Sequence, residues 1–148
     1  NLYESLSAYG LAVHRHNSEI QQELDLCTGM KTNFQFTPHL TPMFRGILST
    51  IYIDLKKGMN KNKVNLELKK FFKNESFVKI AKPNTFLSTN DVINTNKCII
   101  SVCNSKYQDK LIILSVIDNL IKGGSGQAVQ NMNIYYNFKE SEGLDVKN

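Results

Sequence analysis

The chain has 148 residues, of which 41% are hydrophobic, and its formal net charge is +5. This length fits one domain, whose core can stand without disulfides or a bound metal. No apolar run reaches the roughly 18 residues that a membrane span needs, and no signal-peptide pattern follows Asn1. We therefore expect a cytoplasmic protein without a membrane partner, and we interpret the chain as a piece of a longer protein.

Only two of the 18 lysines and arginines are arginines, Arg15 and Arg45. The lysines spread from Lys31 to Lys147, which is typical of a solvated surface, so we expect no nucleic-acid partner. In such a chain arginine indicates planar recognition of an oxyanion, with a buried ion pair as the alternative. The two alternatives weigh evenly for Arg45, whereas the neighbouring histidines favour an anion site for Arg15.

The three cysteines are Cys27, Cys98 and Cys103. They form neither a CxxC pair nor a metal-ligand spacing, so the sequence predicts no metal site and no disulfide framework. Cys98 and Cys103 bound an apolar strand and should point to opposite faces of it. Cys27 lies near a predicted helix C-terminus, which disfavours a thiolate. We interpret all three as structural thiols in a reducing compartment.

In chain order, the first predicted elements are a strand, a helix and two further strands. The helix should begin at Asn17, a favourable N-cap, carry Ile20 and Leu24 on an apolar stripe, and end at Gly29. Alternation, β-branched residues and the stop at Pro38 place the strands at Leu6–Val13, Asn33–Thr37 and Gly46–Leu55.

The second half predicts a helix, three strands and a final helix. The first helix, Lys63–Phe72, presents Val64, Leu68, Phe71 and Phe72 on one face. The remaining elements are the strands Phe77–Ile80, Cys98–Cys103 and Leu111–Ile117, and the helix Gln127–Phe138 behind a glycine-rich turn. Strands outnumber helices and no GxGxxG follows a strand, which predicts an α+β fold with a mixed, mainly antiparallel sheet packed on helices.

Two histidines stand where the first strand meets the first helix. His14 and His16 precede Glu19 and Gln22, which are three apart and share one helix face, and Tyr9 lies upstream. A histidine beside a carboxylate is the usual equipment of a general acid–base. A structural His–Glu hydrogen bond is the equally weighted alternative.

Two further segments carry chemistry. Two of the three prolines lie in Phe36–Gly46, which predicts a stiff loop that displays His39 and Arg45. The glycine-rich turn Gly123–Gly126 could offer backbone N–H groups to an anion, although a simple tight turn is the better-supported interpretation.

Together these segments resemble the N-acetyl-gamma-glutamyl-phosphate reductases. His14-Arg15-His16 with Glu19, Ile20 and Gln22 resembles that family's HRHxPEIxQ segment. Phe36–Ser49 is similar to its FTPHLxPMxRGILAT segment, and Asp118–Asn133 to its DNLxKGAxGQAVQNMN segment. The three stand in the family's order, and the resemblance spans about the whole chain. It implies the C-terminal domain found in the glyceraldehyde-phosphate and aspartate-semialdehyde dehydrogenase group.

The resemblance also implies an NADP-dependent reduction of an acyl phosphate to an aldehyde, in arginine biosynthesis, through a cysteine thioester. His14 would be the acid–base partner of that cysteine. The residues implied to contact the substrate or orient His14 are Tyr9, His16, Glu19 and Gln22. Our further substrate-binding candidates are Arg15, His39 and Arg45. Those implied to face the cofactor are Gly126, Gln127 and Asn131.

The family's Gly-Cys-aromatic-x-Thr nucleophile segment and its glycine-rich cofactor loop do not occur in this chain. We therefore expect residues 1–148 to be a single catalytic and dimerisation domain that is inactive alone and binds NADP weakly. Its expected partners are the small-molecule substrate, a Rossmann nucleotide-binding half of the same enzyme, and further copies in a homo-oligomer. The alternatives are a non-catalytic regulatory or scaffold module and a basic nucleic-acid-binding module.

Overall fold

The computed structural model describes residues 4–144. Two compact units make up the chain, Asn1–Phe44 and Arg45–Asn148, and each is described by itself. Within residues 4–144 no helix is both long and apolar enough to cross a membrane.

The first unit contains two short paired strands and one helix. Strand β1 (Ser7–Ala8) pairs antiparallel with β2 (His39–Leu40), and helix α1 spans His16–Thr28. The predicted strand Leu6–Val13 is therefore mostly wrong. The backbone turns at Gly10 and Ala12, whose φ angles are 57° and 61°, and the N–H groups of Val13 and His14 both donate to the Gly10 carbonyl.

Helix α1 begins before its predicted cap and ends where predicted. Arg15 precedes it in helical conformation without a side-chain cap, so Asn17 is not the N-cap. Gly29 ends the helix in the left-handed conformation and donates its N–H to the Asp25 carbonyl, as the sequence predicts. The predicted strand Asn33–Thr37 is wrong as well, because β2 lies beyond Pro38, whose carbonyl accepts the Tyr9 N–H at 3.1 Å.

The second unit is built on a four-stranded sheet with the order β3-β6-β5-β4. Strand β6 (Lys110–Ile117) pairs antiparallel with β3 (Ile47–Asp54) on one side and with β5 (Cys98–Asn104) on the other, and β4 (Val78–Ile80) runs parallel to β5. This confirms the predicted mixed, mainly antiparallel sheet.

Helix α2 (Lys61–Phe71) contacts β5 and β4. It begins two residues before its predicted start, because the Asn60 side chain accepts the Lys63 N–H at 3.0 Å and caps the helix. The predicted apolar face is wrong at Phe71, which is 79% exposed at the last helical position.

The core of the second unit gathers on both faces of the sheet. Val102 and Val116 are fully buried in β5 and β6, and Phe77 and Val92 are buried in segments that connect the elements. Val92 follows a short 3-10 helix, Thr89–Asp91, which is held by a capping box between Ser88 and Asp91.

The chain after β6 forms a π-helical turn, Ile121–Ser125, and then helix α3, Gly126–Tyr135. Gly124 interrupts the turn with φ −150° and ψ −108°. Helix α3 ends three residues before its predicted limit at Phe138, because the chain leaves it through Asn137, whose φ angle is 59°.

Candidate active site

An aromatic cluster surrounds His14 in the first unit, and we call it the histidine cluster: Tyr9, His14, His16 and Phe36. The His14 ring centroid lies 5.2 Å from Tyr9, 4.7 Å from His16 and 5.5 Å from Phe36, each in an edge-on arrangement. The register of β1 and β2 aligns Ala8 with His39, which lies next to Pro38, the partner of Tyr9. The strand pair therefore positions one side of the cluster, and the start of α1 positions the other.

A backbone hydrogen bond determines which tautomer the neutral His14 ring adopts. The His16 N–H donates to His14 Nδ1 at 3.2 Å. Because an amide N–H can only donate, Nδ1 must accept, and the neutral His14 ring carries its proton on Nε2. The His14 ring thus accepts the first N–H of α1, although it is not the N-cap residue of the helix.

His16 and Glu19 form a loose pair one helical turn apart. His16 Nε2 lies 3.9 Å from Glu19 Oε2, beyond hydrogen-bond distance, and the side chains are 45% and 67% exposed. The pair is the arrangement that the sequence pattern predicts, at an open edge of the cluster.

The other predicted substrate residues of the first unit are exposed. Arg15 and Gln22 lie on the solvent side at the start and middle of α1, and His39 lies in β2 with Nδ1 3.2 Å from the Thr37 carbonyl. Their predicted roles stay predictions.

Sequence reading missed a carboxylate that ties down the end of α1. Asp25 Oδ1 accepts from the Thr32 N–H at 2.7 Å, from the Thr32 hydroxyl at 2.9 Å and from Gln21 Nε2 at 2.7 Å. The Thr32 N–H is the largest cause that lowers the pKa of Asp25. This Asp–Thr pair spans a seven-residue gap that carries no sequence motif.

In the second unit Arg45 is paired with a buried carboxylate. Arg45 Nη1 lies 3.4 Å from Asp118 Oδ2 and also donates to the Asn94 side chain, while Asp118 is fully buried. These contacts match the ion-pair alternative for Arg45. Its predicted role in substrate binding is untested and stays a prediction.

Asp118 joins three segments of the second unit. It accepts backbone N–H groups from Asn94 at 2.9 Å, Leu120 at 2.9 Å and Ile121 at 3.1 Å. Burial alone would raise the pKa of Asp118, but these donors and Arg45 outweigh it and lower that pKa. A carboxylate that directly follows an apolar strand was the only sequence signal for this hub.

The predicted cofactor residues lie at the start of α3. Gly126 is buried, and a Cβ there would lie 2.4 Å from Asn96 Oδ1 and 2.9 Å from the Ile121 carbonyl, so its position requires glycine for packing. Gln127 Nε2 donates to Asn131 Oδ1 at 2.9 Å, one turn along the same helix face. The pair forms a polar surface beside the glycines of the π-helical turn.

Within residues 4–144 no group of three or more His, Cys, Asp or Glu side chains could hold a metal ion. Cys27 is exposed and Cys103 is buried, and Cys98 lies 3.6 Å from the Ser115 hydroxyl. Cys98 and Cys103 point to opposite faces of β5, as predicted, since their register partners Ile117 and Ile112 stand five residues apart on β6.

A sequence profile of the semialdehyde dehydrogenase dimerisation domain matches residues 1–119. The chain belongs to this family. It is 49% identical to the N-acetyl-gamma-glutamyl-phosphate reductase of Thermoanaerobacter pseudethanolicus (strain ATCC 33223 / 39E), over 97% of this chain and 42% of that protein. The reductase of the same name from Prochlorococcus marinus (strain MIT 9301) is 47% identical over 98% of this chain and 42% of its own length.

The Staphylococcus aureus (strain USA300) protein of that name is 42% identical, over 96% of this dimerisation domain and 41% of its own length. The domain thus spans about two fifths of the length of these curated relatives. Its fold is similar to aspartate semialdehyde dehydrogenase II from Vibrio cholerae, with a TM-score of 0.65 at 15% identity over 83% of this chain and 37% of that one. This likeness confirms the α+β fold predicted from the sequence.

Proposed function

We propose that this dimerisation domain is the substrate-binding and acid–base half of an NADP-dependent reductase. The enzyme would convert N-acetyl-gamma-glutamyl phosphate to N-acetylglutamate semialdehyde in arginine biosynthesis. The observation that carries the proposal is the histidine cluster, where two imidazoles and a carboxylate meet at one helix start. The relatives are named for the same reaction, which supports the proposal.

In the proposed enzyme, residues 1–148 form the catalytic and dimerisation domain, and a Rossmann half elsewhere in the longer protein supplies the nucleophilic cysteine. Its thiolate would attack the acyl phosphate, phosphate would leave, and hydride from NADPH would reduce the thioester. The thiohemiacetal would then collapse to the aldehyde and regenerate the thiolate.

His14 would transfer protons in this series of reaction steps. Once the ring has taken the proton of the cysteine thiol, the imidazolium can give that proton to the oxyanion that hydride transfer creates, and the neutral ring can take it back when the thiohemiacetal collapses. Acceptance of the cysteine proton at Nε2 requires the other tautomer, in which Nδ1 is protonated and the bond from the His16 N–H is broken.

A specific observation favours His16 as a second candidate for the base. Its ring lies 4.7 Å from that of His14, its side chain is 45% exposed, and the Glu19 carboxylate lies 3.9 Å from its Nε2. A carboxylate at this distance can orient the imidazole of a base toward the thiol of its partner.

The anionic substrate would be held by cations and amides around the cluster. Arg15 and His39 are exposed beside it, and Tyr9, Glu19 and Gln22 would orient the substrate and the imidazoles. Arg45 remains a further candidate for binding the substrate anion. Gly126, Gln127 and Asn131 would hold the nicotinamide side of the cofactor, which in its reduced form, NADPH, would supply the hydride.

A second copy of the chain is the partner that the sheet favours. Edge strand β3 leaves apolar side chains uncovered on both faces: Ile47, Leu48, Ile51 and Tyr52 are between 44% and 73% exposed. Uncovered apolar area of this kind marks protein–protein interfaces. The description of the family as a dimerisation domain supports the same partner.

The test is a steady-state assay of the intact enzyme, run in the reverse direction with N-acetylglutamate semialdehyde, phosphate and NADP. We expect phosphate-dependent NADPH formation, sedimentation as a dimer or larger oligomer, and no turnover by residues 1–148 alone. Reduction of an acyl phosphate by the 148-residue chain would contradict the division of labour. Absence of activity in the intact protein would favour the regulatory or scaffold alternative.

A further inference from the structure

A polar network beneath helix α3 involves a lysine to which the proposed reaction assigns no role. We call it the Gln130 junction: Asn96, Lys122, Gln130 and Glu140. Gln130 is 7% exposed, and its Oε1 accepts from Lys122 Nζ at 2.7 Å and from Asn96 Nδ2 at 2.9 Å. Its Nε2 donates to Glu140 Oε1 at 2.7 Å. One glutamine thereby joins the π-helical turn, the start of β5 and the segment after α3.

The ammonium group of Lys122 is partly buried. Its Nζ lies 5.5 Å from the centre of the Phe77 ring, and Phe77 is 2% exposed. Burial lowers the pKa of Lys122, and the charges of Cys98, Glu140 and Glu75 offset this only in part. Because desolvation of a charged lysine costs free energy, the ammonium group needs a compensating hydrogen bond, and Gln130 accepts one.

The π-helical turn is fastened at both ends. At its start, the Leu120 and Ile121 N–H groups bind the Asp118 carboxylate. Across the turn, Lys122 reaches Gln130 in the second turn of α3. Between these anchors Gly123, Gly124 and Ser125 are exposed. The flexible glycines are therefore held by side-chain bonds on either side.

We propose that Lys122 is a positioning residue: through Gln130 it fixes the π-helical turn against α3, and so sets where Gln127 and Asn131 face the cofactor. Gln127, Gln130 and Asn131 lie on the same turn of α3, so a bond that fixes Gln130 restrains the backbone that carries Gln127 and Asn131. This inference rests on the proposed function, and it names the part of the site that Lys122 controls.

The test compares Lys122→Met, Lys122→Arg and the control Lys139→Met in the intact enzyme. Lys139 is an exposed lysine just beyond α3. We expect Lys122→Met to raise KM for NADPH about tenfold, the effect of losing one hydrogen bond to a charged group. The turnover number and the KM for the acyl phosphate should stay within about twofold. Lys122→Arg, which keeps a cationic donor, should recover most of the loss, and Lys139→Met should change nothing.

Equal losses in all kinetic constants, or no rise in KM for NADPH, would overturn the inference. If Lys122→Met does not fold, Gln130→Asn, which shortens the acceptor, must give the same selective rise. Absence of reductase activity in the wild type would count against the proposed function alone. In that case, amide hydrogen exchange at Gly123–Gly126 still decides, because faster exchange in Lys122→Met than in Lys139→Met supports the clamp and equal exchange refutes it.

Discussion

The two units of the chain differ in how much buried core they contain and in which proposed reactive groups they carry. In the first unit, the described residues up to Phe44 include none that is buried, and two-residue strands frame a 13-residue helix. In the second unit, an eight-residue strand pair and fully buried Val102 and Val116 build a core. The imidazoles lie in the first unit, and the buried carboxylate hub lies in the second.

This contrast teaches that the proposed catalytic groups contribute little to the core. Side chains at an open cluster can be chosen for reactivity, because little packing depends on them. Asp118 and Gly126 lie where a replacement must disturb buried partners. We therefore expect substitutions in the histidine cluster to reduce activity, and substitutions at Asp118 and Gly126 to reduce the free energy of unfolding.

The largest expected effect concerns the histidines. In the intact enzyme, loss of the proton carrier by His14→Asn should lower turnover about a hundred- to ten-thousandfold, the usual cost of removing a general acid–base. The thermal midpoint should stay close to that of the wild type. The measurement is the pH–rate profile beside a thermal melt.

His16→Asn and His39→Asn are the matched comparisons for that experiment. If the neutral limb of the profile disappears in His16→Asn and survives in His14→Asn, His16 is the base and His14 is its hydrogen-bonding support. A large fall in the thermal midpoint of His14→Asn would contradict the separation of chemistry from stability.

The second prediction concerns Asp118. Asp118→Asn leaves Arg45 without its carboxylate and should lower the free energy of unfolding by about 3 kcal/mol, as for other broken buried pairs. The folded-state pKa of Asp118 is lowered, so its stabilisation is complete above the unfolded aspartate pKa of about 4 and is lost as the pH falls through the folded value. Urea unfolding at neutral and acidic pH, followed by circular dichroism, checks both statements. An unchanged gap between variant and wild type at low pH would contradict the second.

The smallest expected effect separates two neighbouring glycines. A methyl group at Gly126 meets Asn96 Oδ1 at 2.4 Å, whereas one at Gly123 meets its nearest neighbour, Ile117, at 3.4 Å. Gly126→Ala should therefore cost about 1–3 kcal/mol of stability by overpacking, and Gly123→Ala less than about 0.5 kcal/mol. The comparison uses the same unfolding assay. Equal losses of stability in the two variants would mean that the backbone around Gly126 can shift to accept a methyl group.

The strands of the second unit were predictable because their pattern has a physical cause. Cys98–Cys103 and Leu111–Ile117 are apolar runs that need burial, and both lie within one residue of the observed β5 and β6. In the first unit, Leu6–Val13 showed a similar alternation without enough buried partners to hold it extended. There Gly10 and Ala12 took left-handed turns, which alternation does not encode.

The sequence predicted which residues form the candidate site, but it did not predict the hydrogen bonds among them. The motif around His14 identified which residues gather, and the structure brings Tyr9, His14 and His16 together. That His14 Nδ1 accepts a backbone N–H depends on the turn before α1, which no residue type specifies. The Arg45–Asp118 pair joins residues 73 positions apart in the numbering, as the Gly46–Asn119 hydrogen bond next to it does.

Strand order has a consequence for how the polypeptide assembles as it is synthesised. The hairpin of β5 and β6 closes locally, with Asn104 opposite Leu111. In contrast, Ile47 in β3 pairs with Ile117, so β3 can pair only after β6 has been synthesised. Closing that long loop costs chain entropy before any pairing is gained, so β3 should join the sheet last. A ribosome that has passed β3 would expose an unpaired apolar strand until β6 emerges, and in this interval the nascent chain is most open to chaperones and to pairing with the wrong strand.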